Sequence, residues 1–408
     1  MSLTPVPGTP PLPHDPSGAC PYSAASVDKP VQPVQPVPRT VAAPVLTVAA
    51  NGVATWHLTR PADVRAVLGD AASFTSRRGP EDPPPGPAGR EILPTRPGMF
   101  VQNDGRDHLD YRRLLNREFS DVRTHASAAR ITAHAEAHVQ SMISAGATAD
   151  LVAQYALPLV SQTLCEVLGL PWTPVSAPGI LRDFQGRDLG NADLNSTTTP
   201  VDHLVHDLAR DALAAPHRYP GLVGRIAAEG IDGRALTEDE LAGLAKQLLM
   251  PGHVSPTHML GLSVLMLLEE QPAWYAKLAA DPGSATDVVE ELLHHITVKQ
   301  HGLIRRAVRD TAVGGVLIRA GEWVTCHLDG PDAGPAAFTP GRTPVTHLAF
   351  GDGPHQCLGQ HLSRAILVGG LSVLARRLPA LRLAVAPHQL HRRVAHTVAG
   401  VTSLPVTW

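Results

Sequence analysis

Phe350-Gly351-Asp352-Gly353-Pro354-His355-Gln356-Cys357-Leu358-Gly359 is the stretch that decides how this chain reads. A glycine-rich loop holding one cysteine runs directly into an apolar helical segment, Gly359 to Leu378. Glycine permits positive φ where a turn is tight and lets the backbone lie close to a flat ligand. A cysteine at a helix N-terminus has its thiolate favoured by free N–H groups and the helix dipole. Such a thiolate can ligate iron. A lone cysteine in a turn is more commonly a buried, inert thiol, so the surrounding residues must carry the argument.

They do. His347-Leu348-Ala349-Phe350 leads into the loop and Leu362-Ser363-Arg364 follows it, while Asp107-His108-Leu109-Asp110-Tyr111-Arg112 places His108 and Arg112 four apart on one helix face. The whole resembles the haem-ligand signature of the cytochrome P450 family, Phe-x-x-Gly-x-His-x-Cys-x-Gly in its bacterial form. The resemblance runs from about Trp56 to the C-terminus. It implies a triangular, mainly α fold with a minor β portion and haem b between two long helices. It further implies Cys357 as the iron ligand, in a loop shaped by Phe350, Gly351 and Gly359. His108, Arg112, Arg305 and His355 are then the partners of the haem propionates, with Arg306 the rival to Arg305 because the register is uncertain by one. Guanidinium groups suit carboxylates through their bidentate fork. The implied activity is electron-dependent activation of dioxygen and attack on a small organic substrate, and thiolate ligation favours O–O cleavage. Ferredoxin and ferredoxin reductase are the implied electron donors, and a monomer the implied state.

Composition is compatible with this. The 408 residues are 43% hydrophobic, enough for a sizeable core, and the formal net charge of −3 gives no electrostatic case for nucleic acid or an anionic membrane. The four cysteines, Cys20, Cys165, Cys326 and Cys357, show no CxxC spacing, which argues against a disulfide framework or a zinc site. Cys165, in an apolar helical stretch, reads as a buried thiol. No signal-peptide pattern and no uninterrupted apolar run of membrane-spanning length is expected, so the chain reads as soluble and cytoplasmic.

Residues 1–46 form a proline-rich arm, and residues 47–408 read as a single haem domain without an internal repeat or flexible linker. Ala43 to Leu58 predicts a hairpin turning at Asn51-Gly52, and Arg60-Pro61-Ala62-Asp63 opens a helix. Further helices are expected over His108–Glu118, Val122–Ala145, Leu151–Leu168, Val201–Ala214, Pro220–Glu229, Glu238–Glu270, Pro272–Ala280 and Ser284–Thr297. Strand-like pieces fall at Arg305–Val308, Ala312–Ile318, Trp323–His327 and Leu381–Val385.

The chain also departs from the family. Aligned on Gly252, the usual Ala/Gly-Gly-x-acid-Thr of the oxygen-activating helix becomes Pro251-Gly252-His253-Val254-Ser255. Val254 cannot carry the proton the acid would supply, and Ser255 replaces the alcohol. His253 offers a titratable group, but the helical twist turns it about 100° from Val254. Pro251 and Pro256 remove the N–H groups that would bond the carbonyls of Gln247 and Gly252, so a kink or unwound turn is expected. The family's Glu-x-x-Arg becomes Glu291-Leu292-Leu293-His294, where Glu291 and His294 can pair at i, i+3. The loop before His347 is short, and Arg342 is its candidate for completing the Glu-Arg-Arg network. The pocket regions by analogy, Pro80–Met99 and Gly179–Thr199, leave the substrate unread; the partly polar Asp183–Asp188 is compatible with a polar ligand but reads more simply as a solvated loop. Arg112, Arg113 and Arg117 are candidates for a ferredoxin-facing basic patch.

Three functions are compatible: a monooxygenase with non-standard proton delivery, a haem-thiolate enzyme using peroxide or redox-neutral chemistry, and a non-catalytic haem or ligand-binding protein.

Overall fold

A computed structural model describes residues 43–86, 92–170, 199–328, 338–343, 347–393 and 397–408. Most of the proline-rich arm, the pocket segment 179–198 with Asp183–Asp188, and the Gly330–Pro335 turn therefore lie outside the described residues. The first strand, β1 (Val45–Val48), begins inside the segment read as the arm.

The chain starts with a hairpin. Strand β1 pairs antiparallel with β2 (Ala54–Leu58), and Gly52 takes the positive φ the turn requires. Helix α1 (Pro61–Gly69) opens on Pro61, as a first-turn proline should. There follow β3 (Phe74–Thr75), α2 (Gly105–Asn116), α3 (Asp121–Ala145) and β4 (Thr148–Asp150). The stretch expected as one helix from Leu151 instead opens with a π-turn, Val152–Ala156, before α4 (Leu157–Leu168). Then come α5 (Pro200–Ala214), α6 (Leu222–Glu229), α7 (Glu238–Glu269), α8 (Pro272–Ala280) and α9 (Ala285–His295). The late strands are β5 (Leu303–Ala307), β6 (Thr311–Val313), β7 (Val316–Ile318) and β8 (Trp323–Cys326); after α10 (Gln360–Arg377) the chain ends with β9 (Arg382–Leu383) and β10 (Pro405–Thr407). The run Ala312–Ile318, expected as one strand, is a hairpin, because Gly314 and Gly315 both adopt positive φ and turn the chain back.

A five-stranded sheet has the order β1-β2-β8-β5-β3, with β2 and β8 parallel and the other pairs antiparallel. Leu58, Val64, Leu68, Phe74 and Val324 build a core between this sheet and α1. The larger core is helical and centres on α3, α4, α7 and α10.

Helix α7 is the spine. Its N-terminus carries a capping box: Glu240 N donates to Thr237 Oγ1 and Thr237 N donates to Glu240 Oε2. Glu238, Asp239 and Glu240 complement the dipole in the first turn. The expected unwound turn does not occur: α7 remains helical through Pro251 and Pro256. Each interior proline costs about 3 kcal/mol, but the buried residues along both flanking turns hold the segment in helical register. Thr257 Oγ1 donates to the His253 carbonyl, one residue on from the carbonyl of Gly252 that Pro256 leaves without its N–H.

Near its start α7 is crossed by the segment before α2. A Cβ on Gly243 would lie 1.9 Å from the Pro97 carbonyl oxygen, so only glycine admits this crossing. The close approach carries Arg96 into the protein beside Lys246 of α7 and Asp202 of α5. Lys246 Nζ donates to Asp202 Oδ1 at 2.7 Å and Arg96 NH1 donates to the same oxygen at 2.9 Å. No helix among the described residues is long and apolar enough to cross a membrane.

Candidate haem site

The Cys357 loop is shaped by glycine at two points. Gly351 and Gly353 have φ of 68° and 70°, and a Cβ on Gly353 would stand 2.2 Å from the Leu68 carbonyl oxygen at the end of α1. The loop is closed by Cys357 N donating to Phe350 O at 2.9 Å. Helix α10 starts at Gln360, three residues beyond the cysteine, so Cys357 lies in the loop before the helix and not in its first turn. The helix dipole therefore acts on the sulfur only weakly. Burial pushes the Cys357 thiol up, while the Gly359 N–H, Arg112 and Arg364 pull the other way. The helix alone does not hold a thiolate here; a cation at the sulfur would.

Two acid–base clusters fix this loop to the helices behind it. Glu290 of α9 accepts from Arg364 of α10 at 2.5 and 3.1 Å and pairs with His347 at 3.1 Å, and the Arg364 guanidinium lies 4.6 Å over the Phe350 ring. Against the penalty of burial, these partners hold the Glu290 carboxyl down at about 2. The neighbouring Glu291 receives both Nε and NH2 of Arg342 at 2.6 Å, together with the Thr339 N–H at 2.8 Å. Arg342 thus occupies the network place the sequence assigned to it. Besides the Glu291 and His294 expected at i, i+3, the structure adds His295, whose Nε2 meets Glu291 Oε1 at 2.9 Å from four residues on.

A group of cations lies beside the loop. His108 of α2 and His355 have ring centroids 4.0 Å apart. His355 Nε2 meets Asp104 Oδ1 at 2.9 Å, and the Thr75 and Ser76 hydroxyls donate to the same carboxylate. Arg112 NH1 donates to the Gln356 carbonyl at 3.0 Å, one residue from the cysteine. Strand β5 settles which arginine faces inward: Arg305 is buried, whereas Arg306 reaches Asp82 at 2.5 Å and the Gly321 carbonyl on the outer side. Arg112 faces the loop, so it leaves the basic patch considered for a redox partner; Arg113 and Arg117 are exposed, Arg113 paired with Asp110.

Arg78 is the cation the sequence reading missed. Burial and the nearby Arg305 lower it to about 10. Its Nε and the His108 Nε2 are buried without a hydrogen-bond partner. Burial, His355 and Arg112 push His108 down to about 4. Buried cations and orphaned donors of this kind require an anion. The two propionates of haem b supply one, with Cys357 positioned for the iron, so the residues present fit the group. The clue to Arg78 lay in the Arg77-Arg78 pair after β3, but nothing in the sequence separates Arg78, partly buried with its Nε covered, from Arg77, which pairs with Asp107 at the surface.

On α7, Pro251, Gly252 and Ser255 are only partly buried, between two runs of buried residues, 241–250 and 256–261. Gly252 packs toward Leu164 of α4. His253 also turns toward α4, where its Nε2 meets Ser161 Oγ at 2.6 Å. Burial lowers His253 to about 3, so the ring is neutral and does not take the place of the missing acid. Val254 is 2% exposed.

The comparisons agree with this geometry. No family model matches the chain. The chain is 35% identical over 369 residues to cytochrome P450-SU2 of Streptomyces griseolus, covering 88% of this chain and 89% of that protein. It is 34% identical over 376 residues to nocardicin C N-oxygenase of Nocardia uniformis, covering 86% and 89%. The solved structure of a Streptomyces peucetius cytochrome P450 with a biphenyl compound superposes with a TM-score of 0.79 at 29% identity, covering 90% of this chain and 93% of that one. The haem between two long helices, the oxidoreductase activity and the haem b cofactor follow from this likeness. The chain belongs to the cytochrome P450 family.

Proposed function

We propose that this enzyme is a haem-thiolate monooxygenase of a small organic substrate in which Cys357 supplies the axial thiolate and the usual distal acid is absent. The observation that carries the reading is the contrast between the two sides of the site. On one side the Cys357 loop is tied down by Glu290, Arg364 and His347 and flanked by His108, Arg112, Arg305 and Arg78. On the other side, Val254 puts an apolar side chain where the family carries a carboxylate.

When bound, the haem supplies dioxygen activation at its iron. The chain's own residues then have separable tasks. Arg78, Arg305, Arg112 and His108 hold the propionates, with His355 oriented by Asp104. The Cys357 main chain, fixed on Phe350 O, sets the direction of the sulfur. Arg112 and Arg364 lie near enough to oppose its charge. Ser255 is the hydroxyl on the open face of α7 that can hold a water or a substrate group. Gly252 keeps the helix surface low beside it, Val254 holds no proton, and His253 is committed to Ser161.

Ferredoxin and ferredoxin reductase are the proposed donors, with Arg113 of α2 and Arg117 at its end as exposed cations toward them. NADPH and dioxygen should be consumed with surrogate partners, and the product should contain an oxygen atom from dioxygen or a newly formed bond. Val254 favours a second reading, peroxide-driven or redox-neutral chemistry, in which no acid relay is needed. Turnover that proceeds without an electron donor selects the second reading and rejects the first.

A further inference from the structure

Gln247 is a polar residue among apolar neighbours on the stretch of α7 leading to the site, followed by Leu248, Leu249 and Met250. It is 6% exposed, and its Oε1 is buried without a hydrogen-bond partner. An amide so placed costs stability unless something completes its hydrogen bonds. At 100° per residue, seven residues bring Gln247 to within about 20° of Val254, and it lies about 10 Å up the axis. Gln247, Pro251 and Ser255 are successively four apart and so share one face. Pro251 and Ser255 are partly open on that face, while α4 packs against the far side through His253. Pro251 also denies the Gln247 main-chain carbonyl its usual N–H donor. Two acceptors from one residue, the side-chain amide oxygen and the main-chain carbonyl, therefore stand together above the Ser255 hydroxyl.

We infer that Gln247 is a specificity-determining residue that binds a hydrogen-bond-donating group of the substrate, a hydroxyl or an N–H, and so orients it over the haem; this rests on the haem-thiolate reading above. The ligand class follows from the chemistry of the strip. The groups left unpartnered, Gln247 Oε1 and its main-chain carbonyl, are both acceptors, so they call for a ligand that donates, and an isostere lacking the donor leaves the amide oxygen unpaired. The amide's cost in the ligand-free protein is the expected signature of a binding group, as opposed to a structural one.

The test uses haem-loaded protein and two probes that coordinate iron through the same imidazole nitrogen, phenylimidazole and its para-hydroxylated analogue, titrated by the iron absorption spectrum. Wild type should prefer the hydroxylated probe by about fivefold, the magnitude of one net hydrogen bond. Gln247→Met, which conserves volume, should abolish that preference while leaving phenylimidazole affinity within about twofold. It should also raise the melting temperature of the ligand-free holoprotein, because an unsatisfied buried amide has been removed. An unchanged preference in Gln247→Met would overturn the inference, as would a lowered melting temperature, which marks a satisfied structural amide. Gln247→Leu provides the same two readouts if the methionine variant does not load haem. The ferrous–CO spectrum of wild type separates the levels: a thiolate-type band with an unchanged preference rejects Gln247 alone, whereas a missing band rejects the haem-thiolate reading and this inference with it.

Discussion

The carboxylate of Asp202 is shared by two buried cations, and replacing it should cost far more than removing either one. Lys246 and Asp202 have fully buried side chains and Arg96 is 6% exposed at its side chain. Asp202 accepts from Lys246 Nζ at 2.7 Å, Arg96 NH1 at 2.9 Å, Thr199 N at 2.9 Å and Thr199 Oγ1 at 2.6 Å. In Asp202→Asn the charge facing both cations disappears and the Thr199 capping box is weakened. Removing one partner of a buried pair costs about 3–5 kcal/mol, and the cap adds about 1 kcal/mol. In Lys246→Met the stem is nearly conserved and the ammonium's desolvation penalty vanishes. Asp202 keeps Arg96 and both Thr199 donors, so the expected cost is about 1–2 kcal/mol. Urea unfolding of the haem-loaded protein at neutral pH measures both. Burial works against the Asp202 carboxylate, but Lys246 and Thr199 hold it below its ordinary value. Its contribution is therefore present above the unfolded value, about pH 4, and is lost as pH falls through the folded one. The gap between wild type and Asp202→Asn should close on acidification in that range. Equal costs for the two variants, or a larger one for Lys246→Met, would refute the shared-carboxylate account.

Arg342→Ala should destabilise the protein by about 3–5 kcal/mol, because Glu291 loses a bidentate partner in a buried site; Arg342→Lys should recover only part of this in chemical unfolding, since an ammonium cannot reproduce the fork. That difference should also shrink in acid, as Glu291, lowered by Arg342, Thr339 and His295 against burial, is protonated. Arg78→Met should act with opposite signs in the two forms: a higher melting temperature for haem-free protein, where Arg78 and Arg305 repel, and faster haem transfer to a scavenging protein from the loaded form. The same sign in both forms would remove Arg78 from the propionate site. Val254→Glu, with surrogate ferredoxin and reductase, should lower the hydrogen peroxide released per NADPH consumed by restoring an acid at the position where the family carries one; an unchanged ratio would show that proton supply does not depend on position 254.

Much of this architecture is legible in the chain because its signals are local. The Asn51-Gly52 turn, Pro61 at the start of α1, and the Thr237–Glu240 capping box each act within a few residues, so composition and spacing expose them. The Cys357 loop is legible for the same reason: its glycines are required by positive φ within the motif itself. What escapes the sequence is set by tertiary contacts. Helix α7 survives two prolines because the flanking turns are packed, which periodicity does not reveal. Glu291 pairs with His295 and with Arg342, the latter brought from 51 residues away by loop placement that spacing does not reveal. The choice between Arg305 and Arg306 depended on strand register, and the placement of Arg78 beside Arg305 joins residues far apart in the chain. His253 looked like a spare titratable group in sequence and is a neutral core residue against α4.

The most direct test of the central claim is the ferrous–CO absorption spectrum of the haem-loaded protein beside that of Cys357→His. Wild type should show the red-shifted Soret band of thiolate ligation, and Cys357→His should lose it while retaining haem and fold. A wild-type band at the shorter wavelength of imidazole- or thiol-ligated haem, in folded protein, would contradict the assignment of Cys357 as the axial thiolate.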